Sequence, residues 1–591
     1  MTTPQWIIFG TLLLTLILFI TGRWRYDVVA LMALLVVTLT GLIPVEQVFS
    51  GFSNSAVVTV AAVLVLSRGL QNSGVVDLIG GWLSGLKGGI IIQLAALTAI
   101  VAILSAFMNN VGALALLLPV VLQLARKKQI PASSLLMPIA FASLLGGMTT
   151  LIGTPPNIIA ASFREQTGGA PFIMFDFTPV GGGVALAGIL FIVLIGWRLI
   201  PKRQGRDSSD GLFEIENYIT EIKVSEKSNL AGKRLREIAD FSKAEVLIIG
   251  LVRGGERRME PSAYTKLQAN DILIVSADTE NIKKLAGTSG VELVGNEKIN
   301  RQDLESDEVT LMEAVIMPNS MMAGGTARSL NMRSRYGVNL LAISRQGKLL
   351  RRRLDHIRFQ VGDVVLLQSH AETLKKIVET LGCLPLAGRN LRIGQPRQII
   401  LALAIFTAAL VTAALGMIPV QVAFVAAVVV MVIVKLVSLP DAYESVDWPI
   451  IILLGAMIPV GGALETTGGA QLVADSILRI SNQTSPVITL IILLVATMFL
   501  SDLVNNAASI VLMAPVAISV AEGMGVSIDP FLMAITIGSS CAILTPIGHH
   551  SNTLVMGPGG YKFGDYWRMG LILEVIVAIV AIPLILIFWP L

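Results

Sequence analysis

The feature that most constrains this chain is where its charges are absent. Most of them fall between Lys202 and Arg397, and the flanking stretches are built of apolar runs. Crossing a bilayer takes about 20 predominantly apolar residues, and many of these runs reach that length. Before the charged segment they cover 6–22, 27–43, 55–70, 90–125, 134–163 and 176–199; after it they cover 397–415, 418–438, 449–465, 484–521, 529–557 and 567–590. Only 14% of the 591 residues are charged, against about 25% in a soluble domain. The chain therefore reads as an α-helical polytopic membrane protein carrying a soluble insert. The first run, Trp6 to Ile20, lacks a basic n-region and leads directly into another apolar run, so it reads as a retained helix.

The fourth run of each half is too long for one helix, and a polar pair breaks it, Asn109-Asn110 in one and Asn505-Asn506 in the other. Irregular backbone survives at membrane depth only where it lines a cavity or lies within protein, so each run is expected to be a re-entrant hairpin (90–125 and 484–521). That leaves five crossings per half. With the insert in the cytoplasm, Arg23, Arg25, Arg126, Lys127, Lys128, Lys562 and Arg568 fall on its side, and the opposite loops carry mainly Arg164 and Arg479. This obeys the positive-inside rule. An odd number of crossings inverts the second half relative to the first, as in secondary transporters. The formal charge of +4 needs no nucleic acid to explain it, and Cys383 and Cys541 cannot form a disulfide framework, which suits a reducing compartment for the insert.

Internal repeats support the inversion. The stretch Ser105 to Val120 aligns without a gap on Ser501 to Val516, placing the serine, both asparagines and Pro119/Pro515 in register at an offset of 396. Further on, Gly153-Thr154-Pro155-Pro156-Asn157 is aligned with Leu544-Thr545-Pro546-Ile547-Gly548. Broken helices in corresponding positions are the best sequence pointer to a transporter's binding site. The insert repeats at an offset of 92, matching Ala231-Gly232 to Ala323-Gly324, Val246 to Val338, and Asn270-Asp271 to Gly362-Asp363. Two α+β units are expected, over 212–298 and 304–386, between membrane repeats at 1–200 and 397–591. Neither unit contains a dinucleotide-binding glycine fingerprint.

These motifs resemble the divalent anion:sodium symporters of the ion transporter superfamily. The resemblance is carried by Ser105-Ala-Phe-Met-Asn-Asn and Gly153-Thr-Pro-Pro-Asn, with Asn505-Asn506 and Thr545-Pro546 as their repeats. It is strongest to the sulfate-permease branch, whose members hold paired TrkA-C (RCK C-terminal) domains between their membrane halves. The stretches Thr545 to Asn552 and Met556 to Tyr561 are the most branch-like pieces. Dicarboxylate members carry Ser-Asn-Thr at both hairpin tips. Asn109-Asn110-Val111 and Asn505-Asn506-Ala507 stand there in this chain, which disfavours a dicarboxylate pose. His549-His550 departs from the Tyr-Gln of many sulfate-branch members.

The resemblance implies sodium ligands at Ser105, Asn109, Asn110 and Gly153, and at Ser501, Asn505, Asn506 and Thr545. Their chemistry agrees, because hard cations take oxygen. It implies a divalent anion, sulfate first, held by Asn109, Asn110, Thr154, Pro155, Asn505, Asn506, Thr545 and Pro546. No Lys or Arg lies in either hairpin core, so half-helix N-termini and bound sodium would supply the positive potential. Asp502 is either a coupling acid or a structural brace, and His549 is either a proton-coupling group or a residue at a cavity mouth. Lys233, Arg234 and Arg236 could hold a regulatory anion, nucleotides among them, or the insert could serve assembly. A homodimer in the inner membrane is implied by the family alone. The other readings are a carrier of dicarboxylate or another oxyanion, proton-coupled, and a ligand-sensing membrane protein. The chain lacks a Thr-Val-Gly-Tyr-Gly filter and a nucleotide-binding P-loop, and no catalytic constellation or organic cofactor is expected.

Overall fold

The computed structural model describes the chain apart from residues 22–23, 76–87, 129, 171, 202–218, 226–227, 236–246, 255, 260–263, 277–290, 294–308, 319, 347, 351–353, 387–395, 481–484 and 547. It divides into a unit of Met1–Arg203 with Arg389–Leu591 and a second unit of Gln204–Gly388.

The first half of the larger unit holds α1 (Thr3–Thr21), α2 (Tyr26–Leu39), α3 (Ser55–Asn72), α4 (Ile90–Phe107), α5 (Asn110–Lys128), α6 (Ser133–Gly147), α7 (Pro155–Gln166) and α8 (Thr178–Leu194). In the smaller unit, strands β1 (Ile219–Val224), β2 (Leu247–Arg253), β3 (Glu256–Met259), β4 (Ile272–Ser276) and β5 (Val291–Leu293) form one sheet. A second sheet contains β6 (Val309–Ile316), β7 (Asn339–Arg345), β8 (Lys348–Leu349), β9 (Val364–His370) and β10 (Cys383–Pro385), with helices α9 (Met332–Tyr336) and α10 (Ala371–Thr380). The second half follows as α11 (Pro396–Ala414), α12 (Val420–Ile433), α13 (Leu439–Ser445), α14 (Trp448–Thr466), α15 (Gly469–Ile480), α16 (Pro486–Leu503), α17 (Asn506–Met524), α18 (Asp529–Ser540), α19 (His550–Met556) and α20 (Trp567–Phe588).

Eight spans among the described residues are long and apolar enough to cross a membrane, joined by shorter apolar helices such as Tyr26–Leu39 and Val420–Ile433. The fold is thus a polytopic helical membrane protein of two repeats. In each repeat a long run is split at its asparagine pair, into α4/α5 and α16/α17. A later crossing is also interrupted, as α6/α7 and α18/α19. Local chemistry sets these breaks. Asn505 caps α17 by accepting from Ala507 N–H at 2.8 Å, and Asn109 Oδ1 accepts from Val111 N–H at 3.1 Å. Pro155 opens α7 at the position where a missing N–H costs no hydrogen bond.

The inversion is visible where α8 packs on α20. Gly183, early in α8, lies against Leu584 near the end of α20, while Gly196, just past α8, lies against Met569 at the start of α20. The two corresponding helices therefore run antiparallel. The exchange of partners is reciprocal: α2 packs on α14 and α3 on α12.

The smaller unit contains two copies of one design. The sheet orders are β3-β2-β4-β1-β5 and, read from the other edge, β8-β7-β9-β6-β10. Gly232 and Gly324 both adopt positive φ, as do Asn270 and Gly362, at the spacing of the sequence repeat. A bidentate pair recurs as well. Arg253 donates to both Asp271 oxygens at 2.8 and 2.7 Å, and Arg345 does the same to Asp363 at 2.8 Å twice. Each arginine also reaches a strand-connecting carbonyl, of Lys266 or Arg358.

Candidate substrate and cation site

The polar residues of the larger unit converge where hairpin tips meet interrupted helices. Asn110 and Asn506 are 3% and 6% exposed, so both tips lie inside protein and not against lipid. In the first half, Ser105 Oγ donates to Asn110 Oδ1 at 2.6 Å, and Thr150 Oγ1 donates to Ala106 O. In the second, Thr545 Oγ1 donates to Asp502 O at 2.8 Å and accepts from Gly548 N–H at 3.1 Å. Ser501 departs from Ser105: its hydroxyl donates to Ser539 O at 2.5 Å, and Asn506 Oδ1 accepts from Ala507 N–H at 2.9 Å.

These contacts change one sequence alignment. Thr150 bonds the carbonyl of Ala106, and Thr545 bonds that of Asp502, at the offset of the hairpin repeat. Asn157 Nδ2 donates to the carbonyls of Gly147 (3.3 Å) and Thr150 (2.7 Å), and Asn552 Nδ2 to those of Ala542 (2.8 Å) and Thr545 (3.1 Å). Thr545 is therefore the counterpart of Thr150, not of Thr154 as the shared Thr-Pro suggested. Gly153-Thr154-Pro155-Pro156-Asn157 corresponds to Gly548-His549-His550-Ser551-Asn552. A dipeptide match cannot detect a shift of four residues, whereas the amide clamp fixes the register.

The glycines at this correspondence are set by close packing. A Cβ on Gly153 would lie 2.4 Å from Gly147 O, and one on Gly548 would lie 2.9 Å from Ser501 O. Thr154 and His549 then occupy equivalent caps, both in extended backbone conformation. Thr154 Oγ1 is buried with no hydrogen-bond partner. His549 Nδ1 accepts from Ser551 N–H at 3.1 Å, and its Nε2 lies 3.4 Å from Asn110 Nδ2. This last contact joins the first hairpin tip to the broken helix of the second half. Packing does the same more broadly, with α19 against α5 and α6, and α7 against α17 and α18.

Asp502 Oδ1 accepts from Leu544 N–H at 2.9 Å, so the acid braces the unwound segment after α18. Its carboxyl also meets Glu574 of α20. Sequence reasoning missed Glu574, although an acid inside the apolar run 567–590 is a signal in itself. It also missed the clamps Asn157 and Asn552. Pro546 lies within the second break, where its carbonyl accepts from Thr553 Oγ1 at 2.5 Å. In the smaller unit, Lys233 is exposed and Arg234 pairs in a β-bridge with Lys266, while Arg236 lies outside the described residues.

Two bonds tie the interrupted helices end to end. At the end of α7, Arg164 donates to both oxygens of Asp529 at the start of α18, at 2.7 and 2.6 Å. Its guanidinium also lies over Phe172, 4.3 Å from the ring centroid. Past α19, Tyr561 inserts into the backbone ladder of α6, donating to Ser133 O at 2.5 Å and accepting from Met137 N–H at 2.9 Å.

Comparison with known proteins agrees with this architecture. The profile described as citrate transporter, CitMHS, matches residues 16–538 and 467–591. An uncharacterized transporter of Synechocystis is 33% identical over 590 residues, covering 98% of this chain and 95% of that protein. An uncharacterized transporter of Escherichia coli, YfbS, is 31% identical over 614 residues, covering 99% of both. Sodium/sulfate cotransporter 2 of Chlamydomonas reinhardtii is 26% identical over 349 residues, covering 56% of this chain and 39% of that protein.

Proposed function

The chain belongs to the citrate transporter family, and on that premise we propose that it is a secondary active carrier coupling sodium to uptake of a divalent oxyanion, sulfate first. The observation that carries this reading is the convergence of duplicated, buried hydroxyl and amide groups where hairpin tips meet broken helices. Oxygen ligands suit sodium. Thr154 Oγ1, buried and unpartnered at the start of α7, offers a donor to an anion beside a helix N-terminus. In this reading Ser105, Asn109, Asn110 and Gly153, with Ser501, Asn505, Asn506 and Thr545, serve sodium. The anion is held by Asn109, Asn110, Thr154, Pro155, Asn505, Asn506, Thr545 and Pro546, and Asp502 and His549 are the coupling candidates. Sodium bound first would provide the positive charge that the hairpin cores lack. The sodium/sulfate name of the distant algal relative points the same way.

We read the smaller unit as tandem TrkA-C domains on the cytoplasmic side of the inner membrane, regulating or assembling a homodimer. Lys233, Arg234 and Arg236 are the residues proposed for a cytoplasmic anion. A regulator acts only through its different affinity for the two transport states.

The family's description favours one second reading, a carboxylate substrate of the citrate class, which we pair with proton coupling. Uptake of labelled sulfate into proteoliposomes, with and without a sodium gradient, separates the two. Sodium-driven sulfate uptake that excess citrate leaves unchanged is the expected result. Proton-driven uptake blocked by citrate selects the second reading. Asn110→Ala or Asn506→Ala should lose sodium dependence or transport in folded protein.

A further inference from the structure

Asn157 and Asn552 share an arrangement that the proposed ligand sets do not use. Each amide nitrogen donates to two carbonyls across the helix break preceding it: in the first half Thr150 O at 2.7 Å and Gly147 O, at the end of α6, at 3.3 Å, and in the second Ala542 O at 2.8 Å and Thr545 O at 3.1 Å. Carbonyls only accept, so the nitrogen must be the atom facing them, and each amide has one permissible orientation. That orientation leaves Oδ1 on the far side. Both side chains are 0% exposed, and neither Oδ1 has a hydrogen-bond partner.

A buried acceptor left unpaired costs about 1–3 kcal/mol, and this chain carries one at equivalent positions of both repeats. An amide oxygen can receive a donor or a cation and cannot bind an anion. The double donation from its own nitrogen also polarises the group and strengthens the oxygen as a ligand. Further buried oxygens without partners stand within one turn, Thr154 Oγ1 in the first half and Ser551 Oγ in the second.

We propose that Asn157 Oδ1 and Asn552 Oδ1 are ligands of two symmetry-related cation sites, each asparagine clamping its unwound segment through nitrogen and binding sodium through oxygen. The assignment rests on the sodium-coupled reading and adds to it a ligand contributed by the second half of each broken helix. It also explains why the clamp is an asparagine, since a side chain with donors alone would hold the segment without supplying the oxygen.

The test is thermal unfolding of the purified full-length protein titrated with sodium chloride, choline chloride holding the ionic strength constant. Wild-type protein should gain stability with sodium. Asn157→Ser and Asn552→Ser, which remove the amide oxygen together with the double donation, should each raise the half-maximal sodium concentration at least tenfold. The double variant should lose the response. Folded variants with the wild-type sodium midpoint would overturn this assignment alone, and a wild-type protein indifferent to sodium would overturn the sodium reading together with it. If the serine variants do not fold, density maps of wild-type protein in sodium and in choline decide. A feature at metal–oxygen distance from either Oδ1, seen only in sodium, supports the proposal. The same feature in both salts is a structural water and overturns it.

Discussion

The two unwound segments, 148–154 after α6 and 541–546 with 548–549 after α18, share a frame and differ in what they present. The frame is a threonine hydroxyl bonded to a hairpin carbonyl, a glycine pressed on backbone and an asparagine clamp. The difference lies at the cap. Thr154 keeps its hydroxyl buried and free, whereas His549 spends Nδ1 on capping α19 and turns Nε2 towards Asn110 of the other half. The outer ties differ in the same way, a charged Arg164–Asp529 pair against a neutral tyrosine inserted at Ser133 and Met137. The repeat thus conserves what holds the backbone open, and the side chains at the two caps have diverged.

The largest expected effect tests the shared frame. Gly153→Ala drives a methyl to within 2.4 Å of a carbonyl oxygen, and Gly548→Ala to within 2.9 Å. We expect the first to abolish transport and folded yield in detergent, and the second to leave folded protein with reduced transport. Equal tolerance at both positions would show that the two segments are not held alike.

The ties come next. Arg164→Gln strands the largely buried Asp529, and removing one partner of a buried ion pair costs about 3–5 kcal/mol. Both groups keep 16–19% of their side-chain exposure, so the lower end of that range is expected. Tyr561→Phe leaves Ser133 O and Met137 N–H to each other, and about 1–3 kcal/mol is the cost if they stay unpaired. Denaturant or thermal unfolding of the two variants ranks them, and Tyr561→Phe proving the more damaging would reverse the comparison.

The caps should affect substrate more than stability. Thr154→Val removes a hydroxyl that bonds nothing in the protein, so the fold should be unchanged while the half-saturating anion concentration rises about tenfold, equivalent to 1.4 kcal/mol. His549→Asn retains a cap acceptor but falls short of Asn110, and should alter sodium activation more than anion affinity. Matched effects of the two variants on the anion would mean that the caps are equivalent after all. The smallest effect concerns the insert. Burial pushes the Cys383 thiol up to about 12, so little thiolate forms near neutrality, and alkylation at pH 8 should be slow until the unit unfolds.

Much of this was legible in the sequence. Apolar run lengths marked the long membrane-length helices, the gapless register of Ser105 to Val120 on Ser501 to Val516 marked the paired helix breaks, and the 92-residue offset marked a repeat whose two sheets share one strand order. Those features are encoded by neighbours along the chain, because helix length, polar breaks and strand periodicity are local properties. The register of the second break was not local. Thr-Pro occurs in both halves, and only the carbonyls received by Asn157 and Asn552 show that Thr545 answers to Thr150. Glu574 beside Asp502, Tyr561 within α6 and Arg164 on Asp529 join residues far apart in sequence. Composition determined that the chain would bury its polar oxygens inside a membrane fold. Which oxygens found partners, and which were left buried without one, depended on helices packing across the repeat, and only the tertiary structure decided that.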